Sequence, residues 1–314
     1  MNKLLLSIFQ FLACLTVVFL VVIGWMPREI HDELKPNTTT EIAKLTKSTR
    51  PEISAEYDLT AKGVRILLVP GHDLVSSGTE YRGAKEEELA RQLATELNNL
   101  LIADGRFTII TTRDLVTGEY TPEFSAYFAS AETQIKRFRT NVQSAMSQLV
   151  RSGTIEEIEP KIKHNYATKD VSFRLYGINK WANENNIDLA IHLHLNDYPR
   201  KDRNSPGKYR GFAMYIPEKQ FANSADSRLV ADEILQSLRY VSATSTFPLE
   251  AETIVETQDL IAAGSYNSQT HPAVLIEYGY IYEPKFSVVG RRDKTLPILA
   301  EATYRGLVRH FFGR

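Results

Sequence analysis

Beyond about Ala61, short apolar runs alternate with stretches whose apolar residues recur every three or four positions. Arg65–Val69 (RILLV) is one such run and closes at Pro70-Gly71, which predicts a buried strand. Leu89, Leu93, Leu97 and Leu100 then mark one face of a helix over Ala84–Ala103, stopped by Asp104-Gly105. Phe107–Thr111, Leu189–Leu195, Gly211–Ile216 and Ala273–Glu277 read as further strands. Helical periodicity covers Phe124–Val150, Phe173–Asn183, Ser224–Leu238 and Pro297–Phe312. Strands separated by helices predict an α/β fold: a mostly parallel or mixed twisted sheet with helices on both faces. In such sheets ligands bind outside the carboxyl ends of the strands.

The amino-terminal pattern is different. Leu4–Trp25 holds no charged residue, and twenty-two residues at 1.5 Å each span the ~30 Å of bilayer hydrocarbon. No small-residue cleavage site closes the run, so an uncleaved anchor fits better than a signal peptide. Lys3 and the amino terminus are positive, whereas Arg28, Glu29, Asp32, Glu33 and Lys35 together carry −1. The positive-inside rule therefore expects a single-pass protein of the cytoplasmic (inner) membrane with the rest of the chain outside, on the periplasmic or cell-wall side. The expected organisation is a transmembrane signal anchor over 1–26, a flexible linker over 27–63 and one soluble domain over 64–314. A helical insert over 115–170 interrupts that domain.

Composition narrows the function. The 314 residues carry 37 Lys+Arg against 38 Asp+Glu, which excludes a nucleic-acid binder held by a bulk basic surface. The single cysteine, Cys14, lies in the apolar run and excludes a disulfide framework, a Cys-rich zinc module and a Cys-x-x-Cys redox site. A metal site here must use histidine and carboxylate.

Such residues fall at element ends. His72 follows Pro70-Gly71 just past a strand; alone it reads as a hydrogen-bonded loop histidine. His192 and His194 share one face of a strand, where two satisfied core histidines are the ordinary reading. Glu277 ends the apolar Pro272–Ile276, where a carboxylate needs a cation or a site opening. Glu86 opens the Leu89 helix, although a helix-start carboxylate favoured by the dipole would suit Glu87 or Glu88 equally. Together they offer two histidines and a carboxylate, the ligand set of a catalytic zinc with an open position, plus a second carboxylate as general base. Separations of 14, 108 and 83 residues form no short motif, so spacing alone leaves the alternatives open.

The order of motifs resembles the zinc-dependent N-acetylmuramoyl-L-alanine amidases of the Amidase_3 family. Its strand into Pro-Gly-His appears as Pro70-Gly71-His72, and its glutamate at a helix start as Glu86 in Gly83-Ala84-Lys85-Glu86. Its Thr-Arg-Asp stands as Thr112-Arg113-Asp114, and its Asp-x-x-x-Ser-Ile-His-x-Asn strand as Asp188–Asn196. Pro-Ala-Val-Leu-x-Glu-x-Gly-Phe appears as Pro272–Tyr280. The resemblance implies a zinc ion (Zn2+) held by His72, Glu86 and His194, with Glu277 as the catalytic proton carrier. The reaction it implies is hydrolysis of the amide between N-acetylmuramic acid and the L-alanine of the stem peptide. The implied substrate is peptidoglycan, and a regulatory protein partner is compatible with the insert.

Several departures stand out. Asp73-Leu74 replaces the family's Gly-Gly, so the turn after His72 must differ. His192 occupies the family's serine position and is expected in a supporting or substrate-contacting role. The insert carries seven acidic and seven basic residues and could serve as a lid or as a packing hairpin. Tyr198–Gly211 is a basic loop (Arg200, Lys201, Arg203, Lys208, Arg210) expected to rim the cleft. Asn196, Arg203 and Tyr280 complete the expected substrate contacts, with Tyr278 and Tyr282 either a platform or strand packing. Two rival readings are another zinc peptidase cutting the stem peptide and a non-catalytic wall-binding protein.

Overall fold

The computed structural model describes residues 63–162, 167–264 and 266–313. The expected anchor and linker lie outside the described residues. Among the described residues no helix is long and apolar enough to cross a membrane.

In chain order the first half runs β1 (Val64–Pro70), β2 (Glu80–Tyr81), β3 (Ala84–Lys85), α1 (Glu86–Asp104), β4 (Phe107–Thr111), α2 (Pro122–Ser130), α3 (Glu132–Arg151) and α4 (Lys169–Glu184). The second half runs β5 (Leu189–Asn196), β6 (Ala213–Pro217), α5 (Ser224–Leu238), β7 (Ile254–Thr257), β8 (Ala273–Tyr280), α6 (Pro284–Ser287) and α7 (Val289–Phe312). Six strands form one sheet in the order β4-β1-β5-β8-β6-β7. All neighbours are parallel except β6 and β8, so the sheet is mixed.

Strand pleating sorts the apolar residues onto two faces. Ile66, Leu68, Ile191, Leu193, Val274 and Ile276 face a core closed by α1, α5 and α7, where Leu89, Leu93, Leu97, Ile234 and Leu299 are buried. Leu67, Val69 and Ala190 face the opposite layer, where Ile178 and Trp181 of α4 meet Phe124 of α2. The central strands read as continuous apolar runs because both faces are buried.

Several elements depart from the sequence reading, among them the short β2–β3 hairpin, whose second strand takes Ala84–Lys85 from the start of the expected helix. The expected helix over Phe124–Val150 is two, broken at Ala131, whose backbone (φ −101, ψ 16) leaves the helical region. α2 begins earlier, with Thr121 Oγ1 accepting from the Phe124 N–H and Pro122 in the first turn. α7 starts eight residues before Pro297, which stands inside it. The lost N–H of Pro297 orphans a carbonyl at Asp293, which is exposed to water. β7 was not anticipated: its four residues pair only with β6 at the sheet edge.

From β1 the chain steps to β4 on one side, then to β5 on the other. The crevice of this topological switch lies at the carboxyl ends of β1 and β5.

Candidate metal centre and active site

His72 and His194 stand at those two ends. β1 runs into Gly71, whose N–H donates to the Leu193 carbonyl of β5 at 2.8 Å. His72 follows in the left-handed region (φ +63), a costly backbone for a non-glycine residue and one that clusters at functional sites. The β2–β3 hairpin delivers Glu86 as the first residue of α1, with the Glu86 N–H donating to the Thr79 carbonyl at 2.9 Å.

The three side chains converge. Glu86 Oε2 lies 3.0 Å from His72 Nε2, and Glu86 Oε1 lies 2.9 Å from His194 Nδ1. The same oxygens accept the Thr79 N–H at 3.0 Å and the Leu195 N–H at 3.2 Å. One ligand atom from each residue lies within 4.8 Å of the other two. Gly78 makes the approach possible: a Cβ there would sit 2.4 Å from Glu86 Oε2 and 2.5 Å from His72 Cδ2, and its φ of +72 suits glycine. Among the described residues no Lys or Arg pairs with Glu86. Two imidazoles and one buried carboxylate turned on a common point, without a cation, fit a divalent metal of the zinc type.

Burial alone would raise the Glu86 pKa, but the two histidines hold its carboxyl well below the usual range. Burial opposes protonation of His72, yet Glu86 raises its pKa; for His194 burial wins and lowers it.

The neighbouring glutamates separate cleanly. Glu87 accepts from Arg113 Nη1 at 2.8 Å and meets Arg91 Nε at 3.3 Å, while Glu88 accepts from Gln92. Arg113, fully buried, also donates to the Gly71 carbonyl at 3.4 Å, so Thr112-Arg113-Asp114 braces the turn before His72. The altered turn after His72 is held as well. Asp73 Oδ1 accepts from the Val75 and Ser76 N–H groups (3.0 and 2.7 Å). Its Oδ2 accepts from the Tyr120 hydroxyl and pairs with Arg174.

Glu277 sits opposite His194 in the β5–β8 register. Its Oε2 is buried with no hydrogen-bond partner among the described residues. Burial, then Glu86 and Glu250, push its pKa well above the usual carboxylate value. An unpartnered buried carboxyl beside a metal-type cluster is placed for proton transfer.

Glu250 was missed by sequence reasoning. It is buried in a 3-10 turn and accepts from Asn196 Nδ2 (2.7 Å), Tyr215 OH (2.6 Å), Tyr280 OH (3.0 Å) and Ser245 Oγ. No local pattern marks it, because three of its four partners lie 30 to 54 residues away.

The expected substrate contacts are dispersed. Asn196 extends from the His194 strand and is bound to Glu250. Tyr280 is 1% exposed, with its hydroxyl on Glu250, and Tyr278 bonds Thr303 beneath α7, so these tyrosines pack the strand. His192 is 1% exposed, and neither ring nitrogen has a partner among the described residues; burial lowers its pKa to about 3. It lies within the sheet layer rather than at a cleft surface. Arg203 is exposed in the basic loop, its carbonyl accepting from Arg200. Arg200 itself is tied to Asp197 and to the Glu80 carbonyl, fixing the loop to the hairpin.

Comparison with known proteins agrees with this geometry. The family model described as N-acetylmuramoyl-L-alanine amidase (Amidase_3) matches residues 66–309. No curated protein matches the sequence. The CwlD amidase of Clostridioides difficile, solved in complex with the GerS lipoprotein, superposes with a TM-score of 0.51 at 17% identity, covering 79% of this chain and 98% of that one. The amidase Ami1 of Mycobacterium smegmatis superposes with a TM-score of 0.52 at 14% identity, covering 81% and 99%. At these identities the likeness is one of fold; the family assignment rests on the sequence model, which spans most of the chain. The chain belongs to the Amidase_3 family of N-acetylmuramoyl-L-alanine amidases, hydrolases that act on cell-wall peptidoglycan.

Proposed function

We propose that the domain hydrolyses the amide between N-acetylmuramic acid and the L-alanine of the stem peptide, using zinc held by His72, Glu86 and His194. The observation that carries this is the convergence of those three side chains at the β1 and β5 ends, with the unpartnered Glu277 carboxyl beside them. Bound there, zinc supplies a Lewis acid and a nucleophile at neutral pH. The protein's part is proton traffic and position. Glu277 takes a proton at Oε2 as water attacks and returns it to the departing L-alanine nitrogen. Arg113 and Asp73 fix the backbone on either side of His72, so the imidazole needs no rearrangement.

Of the other residues, Asn196 and Arg203 are taken as substrate contacts, and the buried His192 and Tyr280 as supports. Leu4–Trp25 is taken as the anchor that holds the domain outside the cytoplasmic membrane. A regulatory protein partner is part of the same reading, supported by the neighbour solved with a lipoprotein.

The test digests defined muropeptides with the zinc-loaded protein and with Glu277→Ala, reading products by mass spectrometry. The wild type should free a peptide headed by L-alanine, and the variant should be about 100-fold slower or worse. Equal rates would remove Glu277 from the mechanism. The purified domain should bind one equivalent of zinc and unfold at a higher temperature with it, and His72→Ala should abolish that gain.

A further inference from the structure

α2 and α3 lie against α4, and between them opens a groove of about 680 Å³. Its apolar wall is Tyr120, Phe128 and Phe173, whose rings follow one another at 5.1 and 6.2 Å. Lys136, Arg139, Lys169 and Arg174 line it against only Glu132 and Asp170. Lys136 is engaged by Glu132, and Arg174 by Asp73. Among the described residues Arg139 and Lys169 have no ion-pair partner; set against the equally unpaired Asp170, they leave the groove with a net charge of +1. At its inner end Tyr120 OH and Arg174 Nε lie 3.2 and 3.1 Å from the buried Asp73 Oδ2, and Asp73 directly follows the ligand histidine.

We propose that this groove seats the anionic stem peptide of the substrate, with Arg139 and Lys169 meeting its carboxylates and the aromatic wall meeting its alkyl portions. The proposal rests on the amidase reading above. The chemistry matches in charge and in part in apolar surface: a muropeptide's peptide carries free carboxylates beyond the scissile amide, and its alanine methyls and methylene chains offer alkyl surface to the rings. Partly exposed cations attract such a ligand over several ångströms and fix its direction. The insert thereby gains a role as a specificity wall, reached from His72 through a single intervening residue.

The test compares Michaelis parameters of the zinc-loaded wild type and an Arg139→Ala/Lys169→Ala variant. Two muropeptides are used, one with free stem-peptide carboxylates and one with them amidated. The variant should raise KM on the acidic substrate about tenfold with kcat changed less than threefold. KM on the amidated substrate should rise less than twofold. Wild-type preference for the acidic substrate should shrink as salt is raised from 0.05 to ~0.5 M. Equal KM changes on both substrates, or none on either, would overturn the proposal. Calorimetry of the free acidic stem peptide with Glu277→Ala, with and without the double substitution, separates the two readings. Binding that depends on Arg139 and Lys169 supports the groove even if wild-type turnover is absent, in which case the amidase reading alone fails; no such dependence defeats the groove.

Discussion

Glu250 shows how a carboxylate can be buried without a cation. Four donors, from Asn196, Tyr215, Tyr280 and Ser245, satisfy its oxygens. Each of those donors loses its acceptor if the carboxylate is removed, at about 1–3 kcal/mol per group, partly recovered if water enters. Glu250→Ala should therefore cost about 3–5 kcal/mol and lower the melting temperature by roughly 10 °C. Glu250→Gln keeps one acceptor but turns an amide donor towards donors, and should cost about half as much. A loss below about 2 °C for the alanine variant, read by thermal unfolding, would show that the network carries little. Legibility at this scale follows from position. His72, Glu86, His194 and Glu277 could be read because each closes or opens an element, where an apolar pattern points at it. Glu250 could not, since the Pro248–Glu250 turn has no periodicity and its partners lie 5 to 54 residues away. The role of Asp73 was readable in outline, because aspartate bonds its own turn; its link to Tyr120 and Arg174 was not.

Helix α7 carries the same residue in two opposite situations. At Gly306 a Cβ would stand 2.6 Å from the Ile234 Cα and 2.9 Å from the Glu233 carbonyl oxygen, so it meets backbone of α5 that cannot turn aside. At Gly290 a Cβ would meet nothing within 4 Å. Alanine gains up to about 1 kcal/mol of helix propensity at either place. At Gly306 that gain is outweighed by forcing the helices apart, at about 1–3 kcal/mol or more. Gly306→Ala should therefore destabilise by about 1–2 kcal/mol, while Gly290→Ala should be neutral or stabilising by a few tenths. Urea unfolding of the pair decides: if both variants shift alike, the close approach of α5 and α7 is not what fixes that glycine. The strands between these helices were readable because burial on both faces makes them unbroken apolar runs. β7 was not, since its four residues, Ile254–Thr257, lie at the edge, only two of them fully buried, and two carry polar side chains. The start of α7 was hidden by Pro297, which reads as a first-turn residue although the helix tolerates it on an exposed side. The break at Ala131 leaves no mark, because alanine is a strong helix former.

At the scale of the whole molecule, one sheet closed by two helical layers leaves two imidazoles inside it, away from water. Burial holds His271 neutral down to a pKa of about 4, and His192 down to about 3, from an ordinary value of 6.5. Unfolding returns both to water, where they take up protons near pH 6.5. Below that pH the unfolded chain binds more protons than the folded one, so stability falls as pH falls. The ceiling is about 1.4 kcal/mol per pH unit for each histidine, and the loss stops once the folded form also protonates. His72 and Glu277 work in the opposite direction in the metal-free protein, because their raised folded pKa values make the folded form the better proton acceptor. A total slope would mix these signs, so a single-site difference is the cleaner measurement. His271 is suited to it, since its ring makes only long contacts, 3.3 Å to Ser268 Oγ and 3.4 Å to Thr270 Oγ1. His271→Phe removes the titration while keeping an aromatic ring in the layer. Between pH 7 and 4.5 the wild type should lose about 2 kcal/mol more than the variant, and the two curves should run parallel above pH 7. Urea unfolding across that range reads the difference directly. Parallel curves throughout would mean that His271 protonates in the folded protein as easily as in water, and that the packing around the amino end of β8 is not closed.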